Sequence, residues 1–235
     1  MSHIGLDIYG GRDPREIPTY NIAEAARYLR FAPATLRSWV IGRSYPLRDG
    51  TAFFSPLIQP PDSSENVLSF SNLVEAHVLW SLRTKHGVSI KAVREALQYA
   101  QRKLRIKRLL LSKQLCTDAA DLFLDRYSEL INLSRSGQLV MRKFFEAYLS
   151  RIEWDRDDLP ARLYPFVRTH WEVEAREIVI DPFISFGRPI IKSKSITTAI
   201  IVSRIDAGET VPELAKDYDL NPSEIESAYI YEGTA

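Results

Sequence analysis

A chain of 235 residues, 45% hydrophobic and 26% charged, can bury a sizeable core and is long enough for two or more small domains. No apolar run approaches the ~18 residues that cross a bilayer, and the opening MSHIGLDIYGGRD lacks the basic-then-apolar layout of a signal peptide, so a cytoplasmic protein with no membrane contact is expected. Cys116 is the single cysteine, which excludes an internal disulfide and a thiolate metal cluster and fits a reducing compartment.

The net charge of +1 hides a division along the chain. Residues 1–115 hold 17 Lys/Arg against 9 Asp/Glu, a net of +8, whereas residues 116–235 hold 14 against 21, a net of −7. A basic segment attracts polyanions and an acidic one repels them, so any nucleic-acid contact is expected in the first half.

In chain order, Asn21 followed by Glu24 is a capping-box pattern and starts the first helix. Ile22, Ala25, Ala26 and Leu29 form its inner face, and the small alanines let a second helix cross closely. Pro33 suits the first residue of that second helix, where its missing N–H costs nothing, although Ala32 before it is a poor cap. Leu36 and Val40 point inward; Thr35, Arg37, Ser38 and Trp39 are assigned to the outer side. The stretch RSYPLRDGTAFFSPLIQPP then has an Asp49-Gly50 turn between extended, aromatic-bearing flanks, which predicts a β-hairpin, or wing. Two helices follow, over about 71–86 and 89–104, broken at Gly87.

The middle of the chain is mixed. LFLDRYSELINL predicts two short strands around Arg126 to Ser128, residues 138–149 predict a helix, and EIVIDPFISFGRPII predicts strand, turn, strand. Helices return over about 197–207, 211–218 and 222–231. A shift of 189 residues lays the opening pair on the closing pair: Ile22 falls on Val211, Ala26 on Ala215, Phe31 on Leu220, Pro33 on Pro222 and Leu36 on Ile225. Thr210 and Glu213 stand where Asn21 and Glu24 stood. The outward chemistry differs, since Arg37 becomes Glu226 and Thr35 becomes Glu224. A phosphate backbone would repel that second face, so the closing pair is expected to bind protein, or itself.

In a helix-turn-helix the second helix enters the major groove and its outer side chains reach base edges. Arg37 is the base-reading candidate, Thr35 and Ser38 are short donors and acceptors, Trp39 would pack along sugar-phosphate, and Arg43 and wing Arg48 would grip phosphates. A plain helical hairpin with a solvated outer face carries the same apolar pattern. The basic run Arg102, Lys103, Arg105, Lys107, Arg108 and Lys113 would extend a phosphate track or simply decorate a helix end. No catalytic constellation, glycine-rich phosphate loop, cofactor motif or zinc-binding helix motif is present: His3, His77, His86 and His170 are scattered, and Asp155, Asp157 and Asp158, which have the chemistry to hold Mg²⁺, read rather as a hydrated loop before Pro160. A non-enzymatic protein is expected.

The first half, in YNIAEAARYLRFAPATLRSWV and LSFSNLVEAHVLWSLRTKHGVSIKAVREALQYA, resembles the MerR-like winged helix-turn-helix. The end of the chain, VIDPFISFGRPIIKSKSITTAIIVSRIDAGETVPELAKDYDLNPSEIESAYIYE, resembles a family of helix-turn-helix domains found in antitoxins. Joined in this order they are similar to VapB-type antitoxins. The resemblance implies a mainly α fold with small β elements, divided into a winged helix-turn-helix (1–115), an α+β middle segment (116–176) and a C-terminal helix-turn-helix (177–235). It implies an antitoxin that neutralises a PIN-like ribonuclease toxin and binds double-stranded operator DNA at its own promoter. A homodimer joined mainly through residues 177–235 is expected separately, because symmetric dimers read paired half-sites and the apolar Ile230 and Tyr231 stand near the end of the last helix. Ser193, Lys194 and Ser195 stand where that family carries Gly-Thr-Arg, so a role tied to that arginine does not carry over. Arg188, Lys192 and Lys194 are the cations of the acidic half expected to face the toxin, with an Arg188–Asp181 pair as the alternative. A MerR-like regulator that senses a small ligand through the middle segment is the other functional reading.

Overall fold

Asn21 lies just outside helix α1 (Ile22–Leu29), and its side chain accepts the Glu24 N–H at 2.8 Å. The expected return bond is replaced: the Glu24 carboxylate accepts the Tyr28 hydroxyl at 2.9 Å, one turn along the same face. Arg30 ends the helix in the left-handed region at φ 59°, and the Phe31 N–H closes back on Ala26 O at 3.1 Å. Helix α2 (Pro33–Val40) begins on Pro33 with no side-chain cap at Ala32. Ala25, Ala26 and Leu36 are fully buried where the two helices cross.

Strands β1 (Arg43–Leu47) and β2 (Gly50–Phe54) form the expected antiparallel hairpin, in register from Arg43 opposite Phe54 to Leu47 opposite Gly50. Gly42 joins it to α2 at φ +85°, and a Cβ there would stand 2.4 Å from Phe54 O. The chain returns beneath α2, with Leu57 and Ile58 N–H donating to Trp39 O, and pairs Leu68 with Tyr20 before helix α3 (Phe70–Thr84). This helix is capped by Ser69 and Asn72, and every side chain from Phe70 to Leu79 is buried. A helix surrounded this way is the centre of a core, and its polar members are paired: Asn72 donates to Gln59 O at 3.0 Å and to Glu75.

The structure is a computed structural model that describes residues 9–47, 50–62, 64–84, 94, 108–111, 149–167 and 176–233. The strands expected around 126–128 lie outside the described residues, as do the helices expected over 89–104 and 138–149 except for Arg94 and Leu149. Beyond them, β3 (Ile152–Trp154) pairs with β4 (Pro160–Leu163), and β5 (Ile178–Val179), β6 (Ile190–Ile191) and β7 (Ile196–Thr197) make a three-stranded antiparallel sheet. A backbone bridge from Leu163 to Ile180 joins the two sheets. Helices α4 (Thr198–Asp206), α5 (Val211–Tyr218) and α6 (Pro222–Gly233) follow. The fold is mainly α with small β elements, six α-helices and seven short strands among the described residues. No described helix is long and apolar enough to cross a membrane.

The 189-residue repeat holds at the backbone. Thr210 and Glu213 close both sides of a capping box; Asp219, like Arg30, is left-handed at φ 51°; and Leu220 N–H reaches Ala215 O at 3.0 Å, as Phe31 reaches Ala26. Leu36 and Ile225 are both fully buried. The outward comparison needs one correction. Glu224 does not face solvent: it is 9% exposed and accepts the Asn221 N–H at 2.8 Å, so Glu226 is the acidic replacement that stays exposed.

The first and last segments are joined by polar and aromatic contacts, while their apolar clusters stay separate. Tyr20 donates to Gly187 O at 2.9 Å from a buried position, and Tyr231 donates to Tyr28 O at 3.0 Å. The Arg30 guanidinium lies 5.0 Å from the centre of the Tyr231 ring and donates to Ile230 O, while Arg27 pairs with Glu232. Tyr231 is 3% exposed, and burial pushes its hydroxyl well above the ordinary tyrosine value. An aromatic near the end of α6 looks from its sequence position like a surface for a second subunit; here it is consumed inside the chain.

Candidate nucleic-acid interface and protein-facing surface

Helix α2 offers one exposed guanidinium, Arg37, which makes no ion pair among the described residues. Thr35 and Ser38 flank it half-buried, and the Ser38 hydroxyl donates to Thr35 O at 2.7 Å, an intrahelical bond that ties both residues together. Arg43 is exposed at the base of the hairpin. Arg48 lies outside the described residues. Thr35, Arg37 and Arg43 thus form a short polar stretch with the donors that phosphates and base edges accept.

Trp39 does not belong to that face. It is fully buried, with its ring centre 5.5 Å from that of Phe31, which in turn stacks on Trp80 at 4.8 Å. The reason is periodicity: residue 39 is three after Leu36 and adjacent to Val40, inside the same buried arc. Its indole N–H finds no partner among the described residues. Arg108 also leaves the expected phosphate track. It pairs with Glu75 and Glu16, both at 2.9 Å, and although burial opposes its charge these carboxylates hold its pKa above the ordinary arginine value. Arg102, Lys103, Arg105, Lys107 and Lys113 lie outside the described residues.

The loop at Asp155 is tied down by hydrogen bonds. Asp155 accepts the N–H groups of Asp157 and Leu159, each at 2.9 Å, and pairs with Arg15, which also holds Asp13. Burial works against the charge of Asp155, but the Leu159 N–H and Arg15 outweigh it and set its carboxyl below the usual aspartate range. This loop borders an open cleft of about 540 Å³, walled by Trp154, Arg162, Asp181, Phe183 and Ile184.

The three cations expected to meet a toxin are all exposed, in different circumstances. Lys194 pairs with Asp219, and Lys192 sits 5.1 Å from the centre of the Tyr164 ring. Arg188 makes no ion pair among the described residues. The expected alternative, a pair with Asp181, does not form: Asp181 is 3% exposed and accepts Arg162 Nε at 2.7 Å and Phe183 N–H at 2.9 Å. Two residues beside Arg188 were missed from sequence. Phe183 and Phe186 are 51% and 61% exposed on the loop before it. Two phenylalanines in a Pro-flanked turn, where polar residues are usual, were the available signal.

A family model described as a protein of unknown function, DUF433, matches residues 178–231. A crystal structure of Rv2018 from Mycobacterium tuberculosis is similar with a TM-score of 0.64 and 26% sequence identity, covering 90% of this chain and 97% of that one. Over 231 residues the chain is 29% identical to "Putative antitoxin VapB45" of Mycobacterium tuberculosis (strain ATCC 25618 / H37Rv), an alignment that takes in 91% of this chain and 93% of that protein.

Proposed function

We propose that this chain is the DNA-binding antitoxin of a type II toxin–antitoxin system, which neutralises a PIN-like ribonuclease by direct contact and represses its own promoter. The observation that carries the reading is the similarity to a protein named an antitoxin along nearly the whole of both chains. In this reading residues 1–115 are a MerR-like winged helix-turn-helix that reads operator DNA, 116–176 connect, and 177–235 bind protein. Charge supports that division: +8 in the first half suits a polyanion, and the acidic second half repels one.

On DNA, Arg37 reads a base and Arg43 and Arg48 hold phosphates. Arg37→Ala should therefore lose ~1–3 kcal/mol on the operator and flatten sequence preference, whereas Arg48→Ala should weaken all duplexes alike and lower the salt slope by about one. Fluorescence anisotropy with promoter and scrambled duplexes measures both. Equal losses for Arg37→Ala on the two duplexes would remove its base-reading role.

Symmetric operators are read by symmetric dimers, so the protein acts as a homodimer joined through residues 177–235. With Tyr231 buried, the open apolar positions on the helices of that span are Ile200 and Tyr229, 47% and 48% exposed. Light scattering should give twice the chain mass, and Ile200→Asp with Tyr229→Asp should reduce it to a monomer. A monomeric wild-type protein at micromolar concentration would rule the dimer out.

Against the toxin, a nuclease site built of carboxylates would be met by cations, for which Arg188, Lys192 and Lys194 are placed on the outside of the acidic half.

A further inference from the structure

Residues 182–188 form a turn with an unusual backbone. Ser185, Phe186 and Gly187 have φ of 50°, 54° and 70°, three consecutive residues in the left-handed region. Glycine adopts it at no steric cost, but a phenylalanine there persists only where the surroundings over-determine it. They do so here. Gly187 O accepts the buried Tyr20 hydroxyl, Pro182 O accepts the Tyr9 hydroxyl, and Phe183 N–H is held by Asp181, itself locked to Arg162. Tyr9 meets the Phe186 ring edge-on at 6.0 Å, and the Arg15 guanidinium lies 6.0 Å from the centre of the Phe183 ring.

The consequence of this bracing is exposure. The turn displays Phe186 at 61% and Phe183 at 51%, with Phe183 and Ile184 continuing into the cleft beside Trp154. Exposed aromatics cost solubility, and a fixed backbone removes the ordering entropy that a flexible loop would lose on binding. The charge of the surface is uneven. Arg162 is shared by Asp181 and Glu153, and Arg15 by Asp13 and Asp155, whereas Arg188 makes no ion pair among the described residues. Phenylalanine rings beside an arginine match the residue types enriched at protein–protein interfaces.

We infer that the 182–188 turn is a preformed docking knob, on which Phe183 and Phe186 enter an apolar recess of the toxin while Arg188 pairs with a carboxylate at its rim. The inference rests on the antitoxin reading above and assigns the toxin contact to this turn rather than to Lys192 and Lys194, which already have Tyr164 and Asp219. Duplex DNA is a poor occupant, because residues 116–235 carry a net charge of −7. A second copy of this chain is also disfavoured. A two-fold contact through this turn sets the same patch against itself and brings the two Arg188 cations together.

The test uses the full-length protein and, as the probe, the purified protein encoded by the reading frame adjacent to its own, with binding followed by calorimetry. The wild-type chain should bind. Phe183→Ser with Phe186→Asn should weaken binding by about 30-fold or more while melting temperature and operator affinity stay unchanged, asparagine being chosen because it tolerates positive φ. Arg188→Glu should cost at least as much, Arg188→Lys less, and Lys192→Ala with Lys194→Ala no more than about threefold. Should the wild-type chain bind the probe and the knob variants bind equally well, the knob assignment is wrong and the antitoxin reading survives. No binding by wild type overturns both. A knob variant that converts a dimer to a monomer in light scattering assigns the turn to a second copy and overturns the toxin contact.

Discussion

Trp39→Ala is expected to lower the unfolding free energy by about 3–5 kcal/mol, the range for truncating a large buried aromatic. Trp39 is fully enclosed and in ring contact with Phe31, which stacks on Trp80, so the vacancy would open between α2 and the core around α3. For a chain of this length the loss corresponds to a fall in melting temperature of roughly 10 °C. Trp39→Phe should cost much less. It keeps a ring in the space and removes an indole N–H that has no hydrogen-bond partner among the described residues, so no acceptor is stranded. Urea unfolding of both variants, beside anisotropy on operator DNA, separates a packing role from a DNA contact. A wild-type urea midpoint for Trp39→Ala, combined with a specific loss of DNA affinity, would place the indole on the outside after all.

The same helix shows what could be read from sequence. Pro33 at the first position, the short turn after Leu29, and the inward Leu36 and Val40 were all legible, because local backbone chemistry and a 3.6-residue period decide them. Trp39 obeys the same period, three residues after Leu36 and next to Val40, and the pattern that buries them buries it too, against the outward expectation. The hairpin was legible for a similar reason: Asp-Gly between extended flanks is a local signal, and β1 and β2 pair across it. The closing helices were legible in their own right, and the 189-residue repeat pointed to the capping box of the second.

The partners that individual side chains choose were not legible. Glu24 turns to Tyr28 rather than Asn21, Glu224 folds back onto its own cap, and Arg108 leaves a basic run to reach Glu16 and Glu75. Glu24 and Glu224 choose among groups three or four residues away, whereas the choice of Arg108 depends on what another segment brings alongside, and a single sequence carries no record of it. The candidate protein-facing surface was half-seen for that reason. Arg188 stood out as a cation in an acidic half, but the exposure of Phe183 and Phe186 depends on Tyr9, Tyr20 and Arg15, more than 160 residues away in sequence.

Gly187→Ala tests that long-range clamp. Gly187 sits at φ +70°, where a Cβ costs about 1–2 kcal/mol in backbone strain alone. The added methyl would also stand 2.0 Å from the Tyr20 hydroxyl oxygen and 3.1 Å from its Cζ, so the buried ring must shift and its hydrogen bond to Gly187 O must lengthen or break. Losing that bond adds about 1 kcal/mol, and together the substitution should cost about 2–4 kcal/mol. Tyr20→Phe alone should cost about 1 kcal/mol. The double variant should cost less than the sum of the two by about 1 kcal/mol, because removing the hydroxyl removes the closest clash and the bond can be lost only once. Denaturant unfolding of the four proteins in this cycle gives the coupling directly. Strict additivity would mean that Tyr20 does not brace the turn, and the rigid display of Phe186 would lose its physical cause.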